Sequence, residues 1–270
     1  MQIVTVQFNY TTGPDYKKLL DVFRYSCKKY TPKCEFIEYK IQAPKRHYRV
    51  PYNFTYNTVK LKIWRDHLRK TKDNIIFADC DMMAIRNFSH AFEKDFDICY
   101  TERTRTTRIP MNGGILFVRP NERSLDFFEQ WYQINLRMHE CDVNGNFALH
   151  NKYRNKWAGM NQASWGWMME HKDKYTAKVV AVKTREWNAV DCDWAHIENN
   201  PATCFIHYKS GLRKAVLRQR GTRLEHVYAK RLWDNMYAEM TGRPVRVDKP
   251  QEIIKVEPSR LVLKRHKRKV

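Results

Sequence analysis

The chain has no run of 18 apolar residues, so nothing in it reads as a membrane-spanning helix. It has no Cys-x-x-Cys pair to suggest a zinc site, and its seven cysteines follow no regular spacing. An odd, irregular set fits free thiols better than a disulfide framework, and a cytoplasmic location is expected. The N-terminus lacks a leader-like pattern: Ile3-Val4-Thr5-Val6-Gln7-Phe8 is strand-like at once, and no signal peptide is expected. The sequons at Asn9, Asn53 and Asn87 are therefore discounted. No internal repeat is visible, which sets repeat architectures aside. Acidic residues are scarce, 29 against 50 Lys and Arg, giving a formal net charge of +21 over 270 residues.

What is present is a globular composition, 43% hydrophobic and 13% aromatic, in a chain long enough to bury a sizeable core. A charge of +21 implies a polyanionic partner: nucleic acid, an anionic membrane surface or a phosphorylated glycan. A surface biased for solubility is the plainer alternative.

The first half alternates strands and helices. Residues 3–9 read as a strand, a helix follows Asp15 with Leu19, Leu20, Val22 and Phe23, and Cys34–Ile41 reads as a second strand. Residues 42–56, rich in Pro, Tyr and Arg, read as a loop, followed by a helix over Thr58–Lys70 and an apolar strand at Ile75–Ala78. This order predicts an α/β fold, a single doubly wound, mostly parallel sheet flanked by helices. Further strands are expected at Phe96–Thr101, through Ile115–Val118, at Val179–Val182 and at Cys204–His207. Helices are expected after Pro120, from Asn161 and over Arg223–Met240, with 141–158 irregular. The expected organisation is a catalytic domain over 1–221 and a C-terminal helix and basic tail over 222–270.

The triplet Asp79-Cys80-Asp81 ends the apolar run at Ala78. Strands of open α/β sheets deliver ligands at their carboxyl ends. Two carboxylates there are hard oxygen donors suited to manganese or magnesium bridging phosphates. Alone, Asp-x-Asp is a common solvated turn. Its neighbours give it meaning.

Read in order, the segments resemble a GT-A-fold nucleotide-sugar glycosyltransferase, closest to the retaining glycogenin and bacterial galactosyltransferase type, over roughly residues 3 to 214. The resemblance implies a metal-dependent transfer from a nucleoside-diphosphate sugar, a UDP-sugar by analogy, with Mn2+ or Mg2+ as cofactor. Asn9-Tyr10-Thr11-Thr12 resembles the nucleotide-binding start, which makes Tyr10 and Thr12 candidates for uracil and ribose. Lys60-Leu61 resembles a basic-Leu pair that reaches the donor, where a cation would offset diphosphate charge. Asp79-Cys80-Asp81 matches the family's Asp-x-Asp, with Asp81 on the metal and Asp79 shared between metal and ribose. Met111-Asn112-Gly113-Gly114-Ile115 is similar to an Asn-x-Gly motif that lets the donor sugar approach backbone, so Asn112 and Gly113 are donor-binding candidates. Asn161-Gln162 stands where the family has Asp-Gln. An amide is no catalytic base, which favours a retaining mechanism or moves the base to Glu170, Asp191 or Asp193. Asn188 resembles the asparagine before the last strand. The segment from His207 to Lys214 resembles the closing His-x-x-Gly-x-x-Lys, with one extra residue before Gly211. It implies His207 as third metal ligand and Lys209, Arg213 or Lys214 on the diphosphate.

The remaining cations cluster in Lys40–Arg49, Glu102–Arg108, Lys209–Arg223 and the tail. Tyr48, Tyr52, Phe54 and Tyr56 run on from the first cluster, a mix that can stack bases beside phosphate-binding cations, with packing as the alternative. Arg103, Arg105 and Arg108 precede the sugar motif and are candidate nucleic-acid contacts. Together these suggest a DNA-modifying transferase of the kind phages use on hydroxylated bases. The alternatives are a lipopolysaccharide-core transferase at the inner membrane surface and a non-catalytic nucleic-acid-binding protein on the same fold.

Overall fold

The computed structural model describes residues 1–9, 16–103, 110–157, 161–190, 193–218 and 224–244. Tyr10, Thr12, Arg105, Arg108, Asp191, the expected boundary at 221/222 and the tail beyond Pro244 lie outside the described residues.

Strand β3 (Ile75–Ala78) sits at the centre of the molecule. Its four residues are all buried, and they alternate between two apolar layers. Ile75 and Phe77 face one layer, formed with α2 (Tyr52–Leu68), α3 (Glu122–Val143) and α5 (Gln162–Glu170). Ile76 and Ala78 face the other, formed with α1 (Tyr16–Tyr30) and the Phe88–Phe96 segment. A strand covered on both faces needs an unbroken apolar run, and that is what its sequence shows.

Around it the main sheet runs β2-β1-β3-β6-β5-β7. The new members are β1 (Gln2–Asn9), β2 (Glu35–Gln42), β5 (Ile98–Glu102), β6 (Met111–Val118) and β7 (Val179–Lys183). The pairs β1–β2, β1–β3 and β5–β7 are parallel, while β6 runs antiparallel to both β3 and β5. The expected α/β architecture with a mainly parallel sheet is therefore present. A second, two-stranded sheet pairs β4 (Met82–Ala84) with β8 (Phe205–His207). Beyond it lie α7 (Ser210–Val216) and α8 (Val227–Thr241). Trp233 and Met236 of α8 share a core with Leu19, Val22, Met83, Ile206 and Tyr208. Tyr208 also donates from its hydroxyl to the Ala229 carbonyl at 2.9 Å.

Two local expectations need correction. Residues 52–56 are helix, not loop: α2 starts directly after Pro51, whose fixed φ and missing N–H cost nothing at a helix start. Phe54, Thr58, Leu61, Arg65 and Leu68 then form one buried helical stripe. Phe54 and Tyr56 are consequently buried, and of the four aromatics only Tyr48 and Tyr52 are exposed enough to stack on a nucleic-acid base. Within 141–158, expected to be irregular, α3 continues to Val143 and α4 (Ala148–Arg154) follows. A buried hydrogen bond holds the two together: His150 Nδ1 lies 2.6 Å from Asp142 Oδ2.

Candidate active site

The backbone assembles the site from segments far apart in sequence. At the end of β3, Asp79 N donates to the Gly114 carbonyl at 2.9 Å, so Asp79 sits beside the Asn112-Gly113-Gly114 stretch of β6. The chain then turns into β4, whose Met82 pairs with His207 of β8. Tyr208 N donates to the Asp81 carbonyl at 2.7 Å. The small second sheet is thus what carries His207 to the carboxylates.

His207 Nε2 lies 3.3 Å from Asp81 Oδ1 and 3.7 Å from Asp79 Oδ2. One ligand atom from each of the three residues falls within 4.8 Å of the others. Two carboxylates and an imidazole converging this closely suit a divalent ion such as manganese, which accepts oxygen and neutral nitrogen together. The other ring nitrogen of His207 is 3.1 Å from Asn188 Oδ1. Asn188 Nδ2 is itself directed at Thr101 Oγ1 (2.8 Å), so the amide oxygen faces the ring. That bond keeps a proton on Nδ1 and aims Nε2 at the carboxylates, the nitrogen whose lone pair would serve a bound ion. Gly114 completes the arrangement, since a Cβ there would lie 2.5 Å from the His207 ring.

Cations flank the pair. Lys60 Nζ lies 2.7 Å from Asp79 Oδ1 and passes 4.7 Å above the Trp64 ring. Arg213 Nη1 lies 3.0 Å from Asp81 Oδ2. Burial would raise the Asp81 carboxyl, but His207 and Arg213 beside it hold it below the usual carboxylate range.

A cleft with two lobes opens over these residues. The larger, of about 350 Å³, contains the metal-ligand cluster, with Arg213, Phe8, Tyr16, Asn53 and Tyr56. The smaller, of about 280 Å³, is lined by Arg103, Asn112, Gly113, Gly114, Asn161 and Gln162. Asn57, Lys60, Asp79 and Lys209 belong to both. At the start of α5, Asn161 is buried, and Gln162 Nε2 donates to the Met111 carbonyl at the edge of β6. Ser164 on the same helix lies 2.8 Å from Asn135 Oδ1 and accepts from Trp131 Nε1 at 3.0 Å, which fixes the helix start against α3.

Of the candidates within the described residues, the structure brings together Lys60, Asp79, Asp81, Arg103, Asn112, Gly113, Asn161, Gln162, His207 and Lys209. Asn188 lies directly behind them. Lys214 is not among them: it is exposed on α7 and lines neither lobe, whereas Arg213 one residue earlier turns inward. Glu170 pairs with Lys156 at 3.0 Å and Asp193 accepts from Val190 N at 3.1 Å, and neither lines the cleft. Asn53 and Asn57 line the cleft but were not expected as site residues, because the helix that carries them was expected to begin at Thr58. Their i, i+4 spacing beside Pro51 was the available signal.

The sequence pattern of the nucleotide-diphospho-sugar transferases matches residues 21–196, about two thirds of the chain. The chain belongs to this family. It is a glycosyltransferase, and its fold is of the GT-A type. The galactosyltransferase LgtC, solved with donor and acceptor sugar analogues, is 12% identical with a TM-score of 0.54, over 90% of this chain and 98% of that one. A glycosyltransferase involved in glycosylation of the major capsid of PBCV-1 is 11% identical with a TM-score of 0.53, over 81% of this chain and 100% of that one. GlyE of Streptococcus pneumoniae TIGR4 is 13% identical with a TM-score of 0.50, over 93% of this chain and 66% of that one. At these identities the likeness is one of fold. No curated protein matches the sequence significantly. No helix among the described residues is long and apolar enough to cross a membrane.

Proposed function

We propose that this transferase moves a sugar, with retention, from a UDP-sugar to a hydroxyl acceptor, with Mn2+ or Mg2+ held by Asp79, Asp81 and His207. The convergence of those three residues within a two-lobed cleft carries the reading. The larger lobe takes the nucleotide, with its base between Phe8, Tyr16 and Asn53, and the smaller lobe takes the sugar. When bound, the ion neutralises charge on the diphosphate leaving group. Lys60, Lys209 and Arg213 add fixed positive charge around the same oxygens.

In the reaction the acceptor oxygen bonds to the anomeric carbon as the bond from that carbon to the diphosphate oxygen breaks. The electron pair leaves on the diphosphate, which takes the acceptor proton. Retention by this route needs no protein base. It is favoured because Asp79 and Asp81 are the only carboxylates among the described residues that line the cleft, and Asn161 is an amide.

For the acceptor we favour a polyanion, with hydroxymethylated DNA first, because of the +21 charge and the position of Arg103 on the cleft. The odd, irregular cysteine set supports a cytosolic setting. The test is incubation with manganese and a panel of nucleotide sugars, followed by assay of nucleoside diphosphate release. Release that requires manganese and disappears in Asp81→Ala is expected; release unchanged in that variant overturns the metal assignment. Added hydroxymethylated duplex should raise the rate, and stimulation by truncated lipopolysaccharide instead overturns the DNA acceptor.

A further inference from the structure

Between Glu38 and Asp66 the chain carries no acidic residue, while seven Lys and Arg fall in the same span. Its middle is a turn that leads into α2, where Val50 N donates to the His47 carbonyl at 3.3 Å. The turn adjoins the donor cleft. Asn53, just past it, lines the nucleotide lobe, and Asn57 lines both lobes. Aromatic contacts lead the same way: Tyr52 packs edge-on against Tyr56 at 4.3 Å, and Tyr56 against Phe8 at 4.6 Å.

Tyr48, in this turn, is 78% exposed, more than any other large hydrophobic side chain among the described residues. It is nevertheless held. The His47 ring stacks beside it with centroids 5.0 Å apart and planes 28° apart, and the Arg49 guanidinium lies 5.1 Å from its centre. Arg49 is itself tied to the body of the protein, its Nη1 donating to the Val143 carbonyl at 3.4 Å, and Val50 next to it is buried. Ordering a side chain costs entropy, and a ring this open recovers little of it by burial. Lys45 and Arg46, on the same turn, are exposed and have no ion-pair partner among the described residues.

A fixed, open aromatic ring beside uncompensated cations is suited to single-stranded nucleic acid, whose bases offer a free face while its phosphates meet the cations. Bases inside a duplex offer no such face. A transferase acting on a base must in any case receive that base out of the stack. We propose that the acceptor is bound through an unpaired base stacked on Tyr48, with the neighbouring phosphates on Lys45 and Arg46. This rests on the reading of the acceptor as nucleic acid, and it does not depend on which sugar is transferred.

The test is fluorescence anisotropy at about 0.15 M salt, where long-range attraction is screened. The probes are a thymidine single strand of about 12 nucleotides, an abasic strand of the same length and charge, and a duplex of that length. The thymidine strand should bind about tenfold or more tightly than the abasic strand, and more tightly than the duplex. Tyr48→Ala should bring the two single strands together, while Tyr48→Phe keeps them apart. Replacing Lys45 and Arg46 together by Gln should weaken both strands and lower the salt slope by about 1. Equal binding of thymidine and abasic strands, or tighter binding of the duplex, overturns the inference and leaves a nucleic-acid acceptor standing. A preference unchanged in Tyr48→Ala, or a salt slope unchanged without the two cations, overturns the assignment to those residues. Binding of no strand, with manganese-dependent release of nucleoside diphosphate intact, overturns both the nucleic-acid acceptor and this inference.

Discussion

Gly114 and Asn188 touch neither carboxylate, yet both determine where His207 sits. A methyl group at 114 would push the ring from its place beside Asp81. Gly114→Ala is therefore expected to weaken Mn2+ binding about tenfold or more while the chain stays folded, measured by calorimetry beside a thermal melt. Asn188→Ala removes the partner that fixes the ring proton on Nδ1, and a loss of about 10- to 100-fold in metal affinity is expected in the same titration. The carboxylates themselves were legible in the sequence because an apolar run with no polar interruption ends on them. His207 was legible only through the order of motifs, since nothing local in Phe205-Ile206-His207 distinguishes a ligand from a strand end. The inward cation was not legible: the extra residue before Gly211 left Lys209, Arg213 and Lys214 open, and the turn of α7 selects Arg213 over Lys214.

At the scale of elements, Asp97 ties three of them together just ahead of β5. Its carboxylate receives two bonds from Arg123 on α3, both 2.8 Å, one from Asn121 at the start of that helix, and one from Lys178 N beside β7. Burial alone would raise this carboxyl, but the Arg123 bond and the others hold it down at about 2, from 3.8. A folded-state value depressed in this way stabilises the protein fully above the unfolded value and loses that contribution as pH falls toward about 2. Asp97→Asn is accordingly expected to cost on the order of 2 kcal/mol in denaturant unfolding at pH 7, with the gap to wild type closing between about pH 4 and pH 2. The strands and most helices were legible from apolar runs and spacing. The start of α2 was not, because Tyr, Asn and Thr after a proline look polar and loop-like, and their burial comes from α3 and α4, far off in sequence. The antiparallel course of β6 was equally hidden, since a chain that reverses inside a sheet leaves no mark on the residues of the strand.

For the whole molecule, a charge of +21 exceeds what the donor site uses, and it predicts salt-dependent binding to polyanions. Replacing Arg103, Arg105 and Arg108 together by Gln should lower duplex DNA affinity and flatten its dependence on salt, measured by fluorescence anisotropy across a salt series. Unaltered affinity would place the DNA contact away from the cleft. The metal and the nucleotide are expected to share one site, which titration of Mn2+ followed by electron paramagnetic resonance, with and without nucleoside diphosphate, measures at once. One strong Mn2+ per chain is expected, tightened by the nucleotide and lost in Asp81→Asn and His207→Ala. Strong Mn2+ binding that persists in both variants, or that the nucleotide does not tighten, would contradict the account.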